Sequence, residues 1–181
     1  MKKRIFALLL IAVMLLATGC RKATLEGYKV FRSTPLGFSM EYPDFWERSL
    51  DNKKGIVAFV TPAEGYGDDH LDSLSVQRFT LDMEGENAYN EYVKGYVATL
   101  ESSLVNYSLV SETENVTLGG EPAYEIVYES VSEDGKDQLR FMQLFAQHND
   151  QVYVVTYVAE FSAYSYFLNN VELMLSTFAF I

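Results

Sequence analysis

The chain has 181 residues, with 14 Lys and Arg against 25 Asp and Glu, for a formal net charge of −11. That length suits one domain with a real core, and the acidity excludes the nucleic-acid backbone as a partner. A single cysteine cannot form a disulfide within the chain, so packing alone must hold the fold.

Lys2, Lys3 and Arg4 open the chain as a basic segment, and residues 5–16 are uninterruptedly apolar. The run is too short for a membrane span, which needs roughly 20 residues. It leads into Ala17-Thr18-Gly19-Cys20, the layout of a cleavable signal. The stretch resembles a bacterial lipoprotein signal, with residues 1–19 as signal peptide and Cys20 as the lipid attachment site. An ordinary secretory signal would leave an unpaired thiol on an exported protein, a reactive liability. The resemblance implies a diacylglyceryl group on Cys20 and often an amide-linked acyl chain, and two or more chains anchor stably. Arg21 follows where an Asp would favour retention in an inner membrane. The expected location is therefore the extracytoplasmic face of a cell membrane or outer membrane. Without residues 1–19 the protein has 11 basic against 25 acidic residues, a net charge of −14. Anionic headgroups repel such a surface, so the acyl chains are expected to carry the attachment.

Residues 20–33 read as the lipidated cysteine and a short tether that runs into a first strand at 28–32. Residues 34–181 form the domain. Strands are predicted at 37–42, stopped by Pro43, and at 56–61, closed by Pro62. The segment 63–72 is a loop rich in acids and glycine. Leu74, Val76 and Phe79 mark the next strand. A helix follows over 88–104, capped by Asn87, with Tyr89, Val93, Tyr96, Val97, Leu100 and Leu104 as its apolar stripe. Further strands are predicted at 107–113, 123–130, 139–148 and 152–160. They are separated by turns at Gly119-Gly120, Asp134-Gly135 and Asn149-Asp150. In the last strand both faces are apolar: Val152, Val154 and Val158 on one, Tyr153, Val155 and Tyr157 on the other. Each face must be covered. A second helix, capped by Ser162, carries Tyr164, Phe167, Leu168, Val171, Met174, Leu175 and Phe178. The fold class is α+β, a mostly antiparallel sheet flanked by helices on both faces.

Three stretches carry a family resemblance. They are Gly37-Phe38-Ser39-Met40-Glu41-Tyr42-Pro43 with Trp46, the paired late strands from Gln143-Leu144-Phe145 through Tyr153-Val154-Val155-Thr156-Tyr157, and the closing Leu175-Ser176-Thr177-Phe178. Over about residues 34–181 the chain resembles the PsbP family, and specifically PsbP-related bacterial lipoproteins. The resemblance implies an α/β/α sandwich that works by binding or assembly.

The residues themselves offer few sites. Nucleophilic catalysis needs a nucleophile held by a base, yet the chain has two histidines and no Gly-x-Ser-x-Gly elbow. His148 reads as a solvated hairpin residue. Asp68, Asp69, His70 and Asp72 form the densest polar cluster and could hold a hard cation, but the spacing fits neither an EF-hand nor a zinc site. An exposed acidic loop is the better reading, and the same holds for Glu129, Glu133, Asp134 and Asp137. Tyr89, Tyr92 and Tyr96 lie along one helix flank and could line a peptide or glycan groove, although that spacing more often means core. The expectation is a lipid-anchored, extracytoplasmic, non-catalytic binding or assembly module. It would be held to the membrane through Cys20 and would bind a membrane or envelope protein partner. No catalytic residue, cofactor or metal is expected. The alternatives are a solute- or cation-binding lipoprotein using loop 63–72, and then an envelope hydrolase.

Overall fold

The computed structural model describes residues 24–63, 72–82, 85 and 87–181. Cys20, the signal segment, Asp68, Asp69 and His70 lie outside the described residues.

Ten strands and two helices follow one another along the described chain. Strand β1 (Tyr28–Ser33) pairs antiparallel with β2 (Phe38–Pro43), and β2 pairs on its other side with β10 (Ala179–Phe180). These three make a small sheet. The other seven make the main sheet in the order β3-β4-β5-β9-β8-β7-β6. They are β3 (Glu47–Asp51), β4 (Ile56–Val60), β5 (Ser73–Thr80), β6 (Ser108–Leu118), β7 (Glu121–Val131), β8 (Gln138–His148) and β9 (Gln151–Glu160). Every pairing is antiparallel. Helix α1 (Ala88–Ser103) connects β5 to β6, and α2 (Leu168–Ser176) lies between β9 and β10.

Strand β9 sits mid-sheet and is apolar on both faces, and the core is split accordingly. On one face Val152 and Val154 join Ile126, Tyr128, Phe145 and Val93, with Tyr89, Tyr92, Tyr96, Val97 and Leu100 of α1 packed over them. On the other face Tyr153, Val155 and Tyr157 meet Phe31, Phe38 and Met40 from the small sheet, and Val171 and Met174 from α2. The α+β class and the helices on both faces hold. The second cover is shared, however, because the β1-β2-β10 sheet packs beside α2.

Helix α1 begins at the predicted position. Asn87 occupies the N-cap, yet its side chain makes no capping hydrogen bond. Helix α2 is shorter than its apolar stripe. Residues 161–167 form consecutive turns, and Phe167, not Ser162, is the N-cap. Side chains of β9 and β8 hold these turns. Tyr157 Oη donates to the Tyr164 carbonyl at 2.9 Å, and the Arg140 guanidinium lies 4.6 Å from the Phe161 ring and 5.4 Å from the Tyr164 ring. Tyr164 and Phe167 are still buried; they reach the core from turns instead of from a helix.

Two strands have no signal of their own. In β3, Glu47–Asp51, four of five residues are exposed, so there is no alternation to read; β4 imposes its conformation by pairing. Strand β10 has two residues and exists because Ala179 and Phe180 pair with Ser39 and Phe38.

Candidate functional site

Helix α1 and the β6–β7 ribbon enclose a groove of about 600 Å³. Its helix wall carries Tyr89, Val93 and Val97, one residue per turn, flanked by Asn90, Lys94, Ala98 and Glu101. Its sheet wall carries Glu112 and Glu114 of β6 with Pro122, Ala123 and Tyr124 of β7.

Strand β6 is the sheet edge, and it pairs irregularly. The register shifts between Leu109 and Ser111 and again between Thr113 and Val116. Each shift puts one extra residue on β6, a bulge that bends an edge strand and re-aims its side chains. Glu112 stands opposite Ile126, whose side chain is buried beneath α1, so Glu112 shares the α1 face of the sheet.

The two groove phenols are already engaged. Tyr89 Oη donates to the Phe145 carbonyl at 2.7 Å, and burial pushes its pKa up to about 12. Tyr124 Oη donates to Glu112 Oε2 at 2.5 Å; burial first, and then that carboxylate, raise its pKa as well. Both rings stay neutral at physiological pH. Among the described residues the ion pairs are Lys136–Asp134, Arg140–Glu129 and His148–Glu121, and none involves the groove. Glu101, Glu112 and Glu114 face the space with one cation, Lys94. An apolar floor under an excess of carboxylates can seat an aliphatic or aromatic group and pair an ammonium or guanidinium beside it.

The tyrosine flank of α1 divides. Tyr89 lines the groove, whereas Tyr92 and Tyr96 belong to the core. Tyr92 packs 6.2 Å from the Phe79 ring, and Tyr96 makes an edge contact with Phe145 at 5.1 Å. Glu112, Glu114, Lys94 and Tyr124 are the residues the sequence reading missed. The one available signal was the alternation of Glu112 and Glu114 within a strand.

The other candidates are structural. His148 is not a free hairpin residue: its Nδ1 lies 2.9 Å from Glu121 Oε1, and its ring stacks on Phe180 at 4.2 Å. The partner ring comes from β10, which the sequence did not announce. Glu129 accepts from Arg140 Nε and Nη2 at 3.1 and 2.5 Å. Asp134 is held by the Lys136 ammonium at 2.7 Å and the Ser132 hydroxyl at 2.8 Å, which together lower its pKa to about 2. Asp72 is buried instead of solvated, and its carbonyl accepts from Thr61 N–H at 2.9 Å. Among the described residues no group of three or more His, Cys, Asp or Glu could hold a metal ion, and no helix is long and apolar enough to cross a membrane.

The architecture is shared with solved structures at low identity. Cyanobacterial PsbP (CyanoP) from Synechocystis sp. PCC 6803 superposes with a TM-score of 0.60 at 12% identity, over 91% of this chain and 99% of that one. LpqN, involved in cell envelope biogenesis of Mycobacterium tuberculosis, gives 0.53 at 13% identity, over 78% and 82%. The Saccharomyces cerevisiae Ran-binding protein Mog1p gives 0.55 at 10% identity, over 84% and 95%. At these identities the likeness is one of fold. No curated protein sequence matches the chain. The family model described as PsbP-like protein matches residues 22–180, nearly the whole length, and the chain belongs to the PsbP-like protein family.

Proposed function

We propose that the chain is a lipid-anchored, extracytoplasmic module that binds an envelope protein partner and performs no chemistry of its own. The observation that carries this reading is the α1–β6/β7 groove. It offers an apolar floor with three carboxylates over it and one lysine, a surface suited to a protein segment bearing Lys or Arg. The tyrosine hydroxyls at its wall are spent on the Phe145 carbonyl and on Glu112, and His148 is occupied by Glu121 and Phe180. The anchor rests on Gly19-Cys20 at the end of a basic and then apolar N-terminus. Two family-fold neighbours, LpqN and Mog1p, are described by a role in envelope biogenesis and by binding of another protein, which favours a binding role over a catalytic one.

Two experiments test the two halves. Cys20→Ala protein is expected to leave the membrane fraction; fractionation like wild type would contradict the anchor. Chemical crosslinking in native membranes, read by mass spectrometry, is expected to give a protein adduct. That adduct should be lost in Glu112→Gln/Glu114→Gln, which keeps an acceptor for Tyr124 and removes two charges. An adduct that persists unchanged in the double variant would contradict the groove.

A further inference from the structure

Two large aromatic side chains stand exposed around one shared ring near the point where the chain joins the domain. Phe45 is 50% exposed and Tyr166 71%. Both lean on one buried ring, Phe167, at centroid distances of 6.5 Å and 4.8 Å. Phe167 is fixed in turn by an edge contact with Trp46 at 5.6 Å. Scattered exposed apolar residues need no explanation, but adjoining ones mark a surface that meets something.

Their position says what. Leu25 N–H donates to Glu41 Oε2 at 2.7 Å, so the chain is fastened to the domain by residue 25. Asp44 N–H donates to the Gly27 carbonyl at 2.9 Å, and Lys29 Nζ to the Asp44 carbonyl at 2.7 Å. The first fastened residues therefore touch the residue preceding Phe45. Cys20 is five residues before Leu25, at most about 17 Å of extended chain. A headgroup layer is only some 5–8 Å deep on each side of the hydrocarbon. An acyl group on Cys20 holds this end of the domain at the bilayer surface and leaves no room for a partner domain between them. Tyrosine settles at such an interface, its ring apolar at one end and wet at the other, and phenylalanine supplies the purely apolar contact of interfacial elements.

We propose that Phe45 and Tyr166 form a membrane-contact patch that inserts into the headgroup region of the bilayer holding Cys20 and orients the domain. The proposal rests on the lipid anchor proposed above. It replaces the expectation that the acyl chains act alone.

The test uses the full-length lipidated protein in phosphatidylcholine vesicles. Acylation blocks the thiol of Cys20, so an introduced cysteine takes a single environment-sensitive dye. Ser165→Cys sits in the exposed turn beside Tyr166, and Lys53→Cys sits exposed at the far end of the β3–β4 hairpin. The dye at 165 is expected to shift to shorter wavelength on reconstitution and to be quenched by spin-labelled lipid. The dye at 53 is expected to do neither, and Phe45→Ser/Tyr166→Ser should abolish the response at 165. Protein that stays with the vesicles while both dyes report water would overturn the patch and leave the anchor standing. Protein that does not stay with the vesicles would overturn both. A response at 165 in native membranes but not in lipid vesicles would assign the rings to a protein partner and overturn the lipid contact.

Discussion

At position 37 a glycine meets two demands at once. Its φ is +78°, a conformation that L side chains rarely adopt, and an added Cβ would lie 2.6 Å from Tyr153 Oη. That hydroxyl is not free to retreat, because it donates to the Leu36 carbonyl at 3.0 Å inside the core. Gly37→Ala is expected to cost at least about 2 kcal/mol, read as a lowered urea midpoint of Trp46 fluorescence. An unchanged midpoint would mean that the turn relaxes at no cost. Buried phenols give a second prediction at this scale. Burial raises Tyr89, Tyr92 and Tyr164 to about 12 from 10. The unfolded chain loses these protons first as pH rises, so the stability they contribute is fully present below pH 10. It is lost as pH climbs from 10 through about 12. Phenolate absorbance should therefore rise together with the loss of circular dichroism in that window. Complete titration near pH 10 with the fold intact would contradict the packing. At the site, the sequence showed Tyr89 but not its neighbours. Glu112 and Glu114 look like ordinary surface acids until the bulges of an edge strand, which pairing alone reveals, set them across from α1.

Elements with a strong internal pattern were legible. The stripe of α1 and the two-faced apolar alternation of β9 each emerged where the periodicity put them, because burial on a defined face leaves its mark in spacing. Elements made by their neighbours were not. Strand β3 is charged and exposed, β10 is two residues long, and the turns over 161–167 keep an apolar stripe that mimics another turn of helix. In each case tertiary pairing decided, and a local pattern cannot carry that information. The α1 interface is the element on which the groove depends. Phe145 is fully buried at its centre, touching Tyr96 at 5.1 Å and accepting the Tyr89 hydroxyl through its carbonyl. Phe145→Ala is expected to cost about 3–5 kcal/mol and to loosen α1 before the small sheet. Hydrogen exchange would show lost protection in Ala88–Ser103 ahead of β1 and β2; a uniform loss would contradict a locally separable α1 face.

At the scale of the molecule, the proposed reading gives the two faces of the main sheet different tasks. The small sheet, α2 and the point where the chain joins the domain lie on one face of it. The groove lies on the other face, at the β6 edge. A domain held at the bilayer by its N-terminal end would present the groove away from its anchor, open to a partner in the envelope. On that reading the acidic surface, unsuited to anionic lipid, would be left for recognition. The most direct test of this account is a photo-reactive amino acid at Ala98 in the groove, compared with one at the exposed Lys53, in cells that make the full-length protein. Irradiation should give one specific protein adduct from position 98 that disappears in Glu112→Gln/Glu114→Gln, and none from position 53. Equal adducts from both positions, or none from 98, would contradict a binding role for the groove.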